Sequence, residues 1–365
     1  MMSIKLGLRA ATVALVTASL IGLPAAPAYA LNAELFADGL DFPAAFTFAP
    51  DGRVFYGERA SGEIRILSDD GSNAPGSLFF TIPNVVTSGE RGLLGIALHP
   101  DYATTNYVYA YASREVSPGN FRNQIWRIED NGGTGENDTI IFDSLSGGGG
   151  NHNGGRMLFG PNNLLFVITG EGLNPRNSQR RGNPLGKVLR MRPDGSVPNS
   201  NPYNNRTWAY GIRNSFGFDI DPETGRVWAT DNGPQCNDEL DPIFKGRNYG
   251  WGPHQTCEHP PKTPRNTNQD GPNPVLPSRW FNPTTAPTGL AFCDGCGLGP
   301  DAEGRFFWGE FNADRIRKAR LNAKRNDIAA ISTVYEHDGP VLSLETHPDG
   351  RIFFSDFDGI YELTP

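Results

Sequence analysis

Ala49-Pro50-Asp51-Gly52 runs into Val54-Phe55-Tyr56, a proline-centred turn followed by a β-forming apolar strand, and it decides the fold because it recurs. His99-Pro100-Asp101 precedes Tyr107-Val108-Tyr109, and Gly160-Pro161-Asn162-Asn163 precedes Leu165-Phe166-Val167. Asp221-Pro222-Glu223-Thr224-Gly225 precedes Val227-Trp228, Gly299-Pro300-Asp301-Ala302-Glu303-Gly304 precedes Phe306-Phe307-Trp308, and His347-Pro348-Asp349-Gly350 precedes Ile352-Phe353-Phe354. Asp-Gly and Asn-rich turns supply the unusual backbone angles between antiparallel strands, so each copy reads as a hairpin. The prolines stand 50, 61, 61, 78 and 48 residues apart, the length of a four-stranded antiparallel blade with variable loops. Six copies predict an all-β, six-bladed β-propeller.

The 78-residue interval between Pro222 and Pro300 is overlong and holds the Pro-rich stretch from Pro253 to Pro287, which predicts a long ordered loop rimming one face. Asp314 to Arg325 comes nearest to helical periodicity, but its place after Phe306-Phe307-Trp308 favours a strand and then a turn. In five copies an acid ends the strand: Glu58, Glu171, Asp231, Glu310 and Asp356. Equivalent strands of a propeller run the same way, which predicts carboxylates gathered near one end of the central channel. The alternative, favoured for Glu58, Glu310 and Asp356, is that each caps a turn of its own blade.

Lys5 and Arg9 precede an apolar run from Ala10 to Leu23, and Ala28-Tyr29-Ala30 puts small residues at the diagnostic positions of a cleavage site. This is the pattern of a secretory signal peptide over residues 1–30, cleaved near Ala30, with residues 31–365 left as one propeller domain, secreted or periplasmic. The run is shorter than the roughly 20 residues of a membrane span, and no later segment approaches that length. The chain has 32 basic and 40 acidic residues; without Lys5 and Arg9 the balance is 30 to 40, a net charge of −10. Nucleic acid is a poor partner for such a surface. Gly (44) and Pro (30) are spread between short apolar runs and gather into no linker, as in turn-rich β structure.

Four cysteines, Cys236, Cys257, Cys293 and Cys296, all lie in the mature part. In an oxidising compartment they read as two disulfides, and proximity favours Cys236–Cys257 and Cys293–Cys296 among three possible pairings. The competing reading is a zinc site that adds His254 or His259, although the spacing fits no standard zinc knuckle.

Three segments could carry chemistry. Gly147-Gly148-Gly149-Gly150-Asn151-His152-Asn153-Gly154-Gly155-Arg156 cannot pack a strand, so it forms a loop approached closely by another backbone or a flat ligand. An imidazole on such a loop can take a proton from an alcohol near neutral pH; the bland alternative is a structural His in a turn. Tyr210-Gly211-Ile212-Arg213-Asn214-Ser215-Phe216-Gly217 sets Arg213 and Asn214 between glycines, with room for a planar polar ligand and a cation able to stabilise a developing oxyanion. Asp231-Asn232-Gly233-Pro234-Gln235-Cys236-Asn237-Asp238-Glu239 is rich in oxygen donors suited to calcium, though its spacing is not that of an EF-hand and a solvated acidic turn fits equally.

Together with Ser88-Gly89-Glu90-Arg91-Gly92-Leu93-Leu94-Gly95, Gly186-Lys187-Val188-Leu189-Arg190 and Asn248-Tyr249-Gly250-Trp251, these segments resemble the soluble glucose/sorbosone dehydrogenases that use pyrroloquinoline quinone (PQQ). The resemblance runs from about Glu34 to Trp251. It implies a six-bladed propeller that oxidises an aldose or related sugar hydroxyl and passes the electrons to an external acceptor. By resemblance His152 is the catalytic base and Glu171 the carboxylate orienting it, standing where the family has an Asp. Arg213 and Asn214 match quinone-contacting residues, and the carbonyls of Gly233 and Pro234 match ligands of the cofactor's calcium. Glu90 replaces a Gln beside the cofactor, and Thr284 matches a cofactor-contacting Thr. The family's Lys in the fifth blade and Arg pair before the sixth turn are not kept: Gly309-Glu310-Phe311-Asn312-Ala313-Asp314-Arg315 and Gly339-Pro340-Val341-Leu342-Ser343-Leu344-Glu345 stand there. Arg315 or Arg317 is the substitute on offer for the Lys. Two rival functions stay open: a catalytically silent propeller binding sugar or protein, and a calcium-dependent lactone hydrolase using the acidic ring. Monomer and homodimer fit the sequence equally.

Overall fold

The computed structural model describes residues 31–145, 149–254, 257 and 270–365. The proposed leader, Gly147 and Gly148 of the glycine run, and His259 lie outside the described residues. Six four-stranded antiparallel sheets follow one another along the chain. Blade 1 spans Pro43–Phe48 to Ser77–Thr81, blade 2 Leu93–Leu98 to Gly135–Leu145, and blade 3 Met157–Gly160 to Thr207–Tyr210. Blade 4 spans Phe218–Ile220 to Arg279–Phe281, and blade 5 Pro287–Phe292 to Ile328–Glu336. Blade 6 takes Ser343–Thr346, Ile352–Ser355 and Ile360–Thr364 from the C-terminal end and completes itself with Asn32–Ala37 from the other end of the described chain. The first and last strands of the described chain thus share one sheet, which ties the two ends together and closes the ring.

All six proline turns join the first and second strands of their blades, as the repeat predicts. Where glycine is missing from the turn, Asn162 and Asn163 take the left-handed conformation, with φ of 63° and 56°. The second strands Val54–Glu58, Val227–Asp231 and Phe306–Glu310 are buried at every position, because a neighbouring blade covers each face. Their sequences therefore read as continuous apolar runs. Among the described residues six apolar clusters form, one at each junction between successive blades, including blade 6 against blade 1 through Phe353, Ile360, Phe46 and Tyr56.

Both favoured disulfides are present, Cys236–Cys257 and Cys293–Cys296, and with all four thiols so engaged the zinc reading falls. Arg315–Leu321 is a strand followed by a turn, not a helix. The Pro253–Pro287 stretch is not loop throughout: Arg279–Phe281 forms the outer strand of blade 4, and Pro287 begins blade 5. Two one-turn helices, Tyr102–Thr105 and Arg176–Gln179, are too short to show a period in the sequence.

Candidate functional site

The loop carrying His152 leaves blade 2 and enters blade 3 at Met157. Close backbone approach holds it: the Gly155 N–H donates to the Ile168 carbonyl at 2.8 Å, and a Cβ on Gly170 would lie 2.2 Å from the His152 carbonyl oxygen. Only glycine at 170 lets loop and strand come so near. His152 itself adopts φ of 59°, a left-handed conformation that a bulky residue reaches only when its surroundings enforce it.

Those surroundings are polar and specific. Nδ1 of the His152 ring lies 2.5 Å from Oε1 of Glu171, two residues beyond the second strand of blade 3. Oε2 of Glu90 accepts from the His152 N–H at 2.8 Å and from Nδ2 of Asn214 at 2.9 Å, so one carboxylate oxygen ties three loops together. Asn214 returns Oδ1 to the Gly154 N–H at 3.2 Å. Behind them Asp231 accepts the N–H groups of Arg213 and Asn214 at 2.8 and 2.6 Å. Burial pushes the Asp231 carboxyl up to about 6, against the lowering effect of those two amides and of the Arg213 charge. Arg213 donates Nη1 to the Asn232 carbonyl at 2.7 Å and lies 5.2 Å over the Trp251 ring, while its buried Nε has no partner among the described residues.

Gly233 and Pro234 follow directly. Their turn is fixed by Asp238, which accepts from the Gly233 N–H at 2.7 Å and from the N–H groups of Thr285 and Ala286 at 2.6 and 2.8 Å. Asp238 thus links the Gly233-Pro234 turn of blade 4 to the segment entering blade 5. Thr284 is half-buried on that segment, but it is Ala286 and Thr288 that line the neighbouring cavity.

That cavity, of about 480 Å³, opens where the first strands of the blades converge. Phe42, Phe216 and Phe311 give it apolar wall, and Arg59, Glu90, Arg156 and Asn312 give it polar groups. Its size and mixed lining suit a small organic ligand. Sequence reasoning placed Glu90 here and missed Arg59, Arg156, Phe42 and Phe311. Arg59 follows the strand-ending Glu58, so its position was on view, but nothing in the repeat distinguishes a channel-facing Arg from a solvated one.

The expected acidic ring separates into individual pairings. Glu58 is paired with Arg65 at 2.8 Å, Glu310 with Arg315 at 2.6 Å and Arg317 at 3.4 Å, and Asp356 with His337 at 3.0 Å. The first two are closed within their own blades, and the third ties the end of blade 5 to blade 6. Glu171 and Asp231, in contrast, serve the His152 and Arg213 loops. Arg315 and Arg317, offered by the sequence as a substitute for the family's Lys, are committed to Glu310.

A profile of the Glucose / Sorbosone dehydrogenase family matches residues 40–359. The chain belongs to that family. The match runs from blade 1 into blade 6, well past Trp251, where the resemblance legible in short motifs ends. A family relative, the uncharacterized Synechocystis sp. protein slr1608, is 32% identical over 347 residues, which cover 87% of this chain and 81% of that protein. The aldose sugar dehydrogenase YliI of Escherichia coli is 31% identical over 237 residues, 62% of this chain and 63% of its own length. Among solved structures, the PQQ-bound form of aldose sugar dehydrogenase from Streptomyces coelicolor superposes with a TM-score of 0.74 at 28% identity, covering 93% of this chain and 99% of that one. Among the described residues of this family member, no helix is long and apolar enough to cross a membrane.

Proposed function

We propose that this chain is a quinoprotein sugar dehydrogenase that oxidises a hydroxyl of an aldose or related sugar, with PQQ and calcium as cofactors and an external electron acceptor. The observation that carries this reading is the His152–Glu171 contact at 2.5 Å, set beside Asn214 by the shared oxygen of Glu90. Oxidation of an alcohol requires the hydroxyl proton to leave as hydride departs from carbon. With Nδ1 held by a carboxylate, the imidazole presents Nε2 as the base, and Glu171 stabilises the imidazolium that forms. Arg213, stacked on Trp251 and with a buried Nε left to donate, can stabilise negative charge on an oxygen near it.

The cavity fits a flat, acidic quinone through its aromatic wall and guanidinium groups, and the loop amides of Asn214, bonded to Glu90 of that wall, and of Asn232, whose buried Nδ2 and Oδ1 have no partner among the described residues, add donors and acceptors near it. Bound there, the quinone supplies the hydride acceptor that no side chain can provide. The Gly233-Pro234 turn offers main-chain carbonyls, hard oxygen donors of the kind calcium takes. Among the described residues no three His, Cys, Asp or Glu side chains stand together as a metal-ligating group. A calcium at this turn would therefore rely on carbonyls and on oxygens of the cofactor. The same observation weighs against a lactone hydrolase built on converging carboxylates.

The test is reconstitution. Purified apoprotein is mixed with PQQ and calcium, and dye reduction is followed over a panel of sugars. Sugar-dependent reduction that needs both additions and is lost on chelation is expected. Sugar binding with no dye reduction under any condition would identify a silent propeller.

A further inference from the structure

We propose that Arg59, at the end of the second strand of blade 1, holds a carboxylate of the acidic quinone. This assignment rests on the quinoprotein reading above. Arg59 lines the 480 Å³ cavity together with Asn312 and Leu342, which stand in the two stretches where the family's Lys and Arg pair are lost. Those stretches present an amide and an aliphatic side chain, so the cavity must find its positive charge elsewhere.

The arginines of this chain divide sharply by partner. Arg53, Arg65, Arg315, Arg317, Arg325 and Arg351 each pair with a carboxylate. Among the described residues no carboxylate lies within ion-pair distance of Arg59. Its Nη2 donates only to the carbonyls of Gly89 and Thr87, and its guanidinium lies 5.0 Å over the Phe42 ring. These contacts fix the group in place and leave Nε and Nη1 for a ligand, and a planar fork of donors matches a carboxylate. Arg156, the other guanidinium at the cavity, is already engaged by the carbonyls of Phe216 and Leu342 at 2.9 and 3.2 Å, with Glu345 at 3.8 Å.

The wall beside Arg59 suits the rest of such a ligand. Phe42 packs on Phe357 at 4.9 Å between centroids, and Phe357 on Phe311 at 6.0 Å. Aromatic surface thus extends from Arg59 to the edge of Asn312, with a fixed cation at one end. The single acid on the cavity wall among the described residues, Glu90, accepts from His152 and Asn214 at Oε2 and acts on Arg59 through space without forming an ion pair with it, so the guanidinium donors stay open to a ligand.

The experiment is a titration of PQQ, with calcium present, into apoprotein, followed by quenching of tryptophan fluorescence. Arg59→Ala is expected to weaken binding by about tenfold or more, the usual worth of a charge-assisted hydrogen bond. Arg59→Lys, which keeps the charge without the fork, is expected to fall between, and its titration decides the matter should the alanine variant not fold. Arg315→Ala, a control at the site where Glu310 holds the cation, is expected to bind as the parent does. Unchanged affinity in both Arg59 variants overturns the anchor while leaving the quinoprotein reading intact. Failure of the unmodified protein to bind PQQ overturns that reading itself, and the anchor with it.

Discussion

Oε1 of Glu171 sits 2.5 Å from Nδ1 of His152, and the Glu171 N–H is donated to the Arg213 carbonyl at 2.9 Å. The carboxylate is 1% exposed, so the pair is shielded from water that would otherwise compete for the imidazole. A charged partner at Nδ1 selects the tautomer with the lone pair on Nε2 and stabilises the ring once it gains a proton. Glu171→Gln keeps the shape and removes the charge. It is expected to lower turnover by about 10²–10⁴-fold with little change in quinone affinity. Steady-state kinetics beside a PQQ titration checks this, and a parallel loss of affinity would mean that Glu171 shapes the cofactor site instead.

Lys187 supports this pair from behind. It is fully buried, and Nζ donates to the carbonyls of Asn177, Ser178 and Leu185 at 2.8, 3.0 and 2.6 Å. Asn177 then gives Nδ2 to the Glu171 carbonyl at 2.9 Å. Lys187→Met fills the same volume but strips three buried carbonyls of their donor. A loss of at least about 2 kcal/mol in unfolding free energy is expected, since stranded buried acceptors cost about 1–3 kcal/mol each. Denaturant melts measure it, and a variant as stable as the parent would show that water replaces the ammonium without penalty.

Asp231 gives the fold a pH dependence of known sign. Its carboxyl is raised in the folded state to about 6, chiefly by burial, above its ordinary 3.8. A group raised on folding contributes its stabilisation fully below the unfolded value and loses it as the pH climbs through the folded one. Between about pH 4 and pH 6, therefore, Asp231 should make the protein progressively less stable as the pH rises, by up to about 3 kcal/mol across the interval. A carboxyl titration of Asp231 by carbon NMR is expected to show a midpoint near 6. A midpoint at or below the ordinary carboxylate range would mean that the two amides at Arg213 and Asn214 outweigh burial.

The propeller was legible because its repeat is local. Each Pro turn and the strand after it carry their own signal, and six of them fix the blade count whatever the loops do. Blade 6 was harder: its fourth strand, Asn32–Ala37, pairs with Ile360–Thr364 from the other end of the described chain, a contact without local signature. At the site, His152, Glu171, Arg213 and Asn214 stood out because glycines flank or precede them in segments that cannot pack as ordinary strands. Arg59 did not stand out. Its character comes from having no carboxylate at ion-pair distance among the described residues, which depends on where Glu63, Glu90 and the other acids point in three dimensions. Arg315 and Arg317 show the converse: sequence position puts them near the missing Lys, and Glu310, on the adjacent strand, pairs with both.

The claim on which the rest depends is that His152 takes the proton from the sugar hydroxyl. Stopped-flow reduction of enzyme-bound PQQ by sugar, recorded for the parent and for His152→Ala, tests it most directly, because the reductive half-reaction is seen apart from any dye or acceptor. The variant is expected to bind PQQ with unchanged affinity and to melt as the parent does, while the reduction rate falls by about 10²–10⁴-fold. Reduction of the bound quinone at the parental rate in His152→Ala would contradict it.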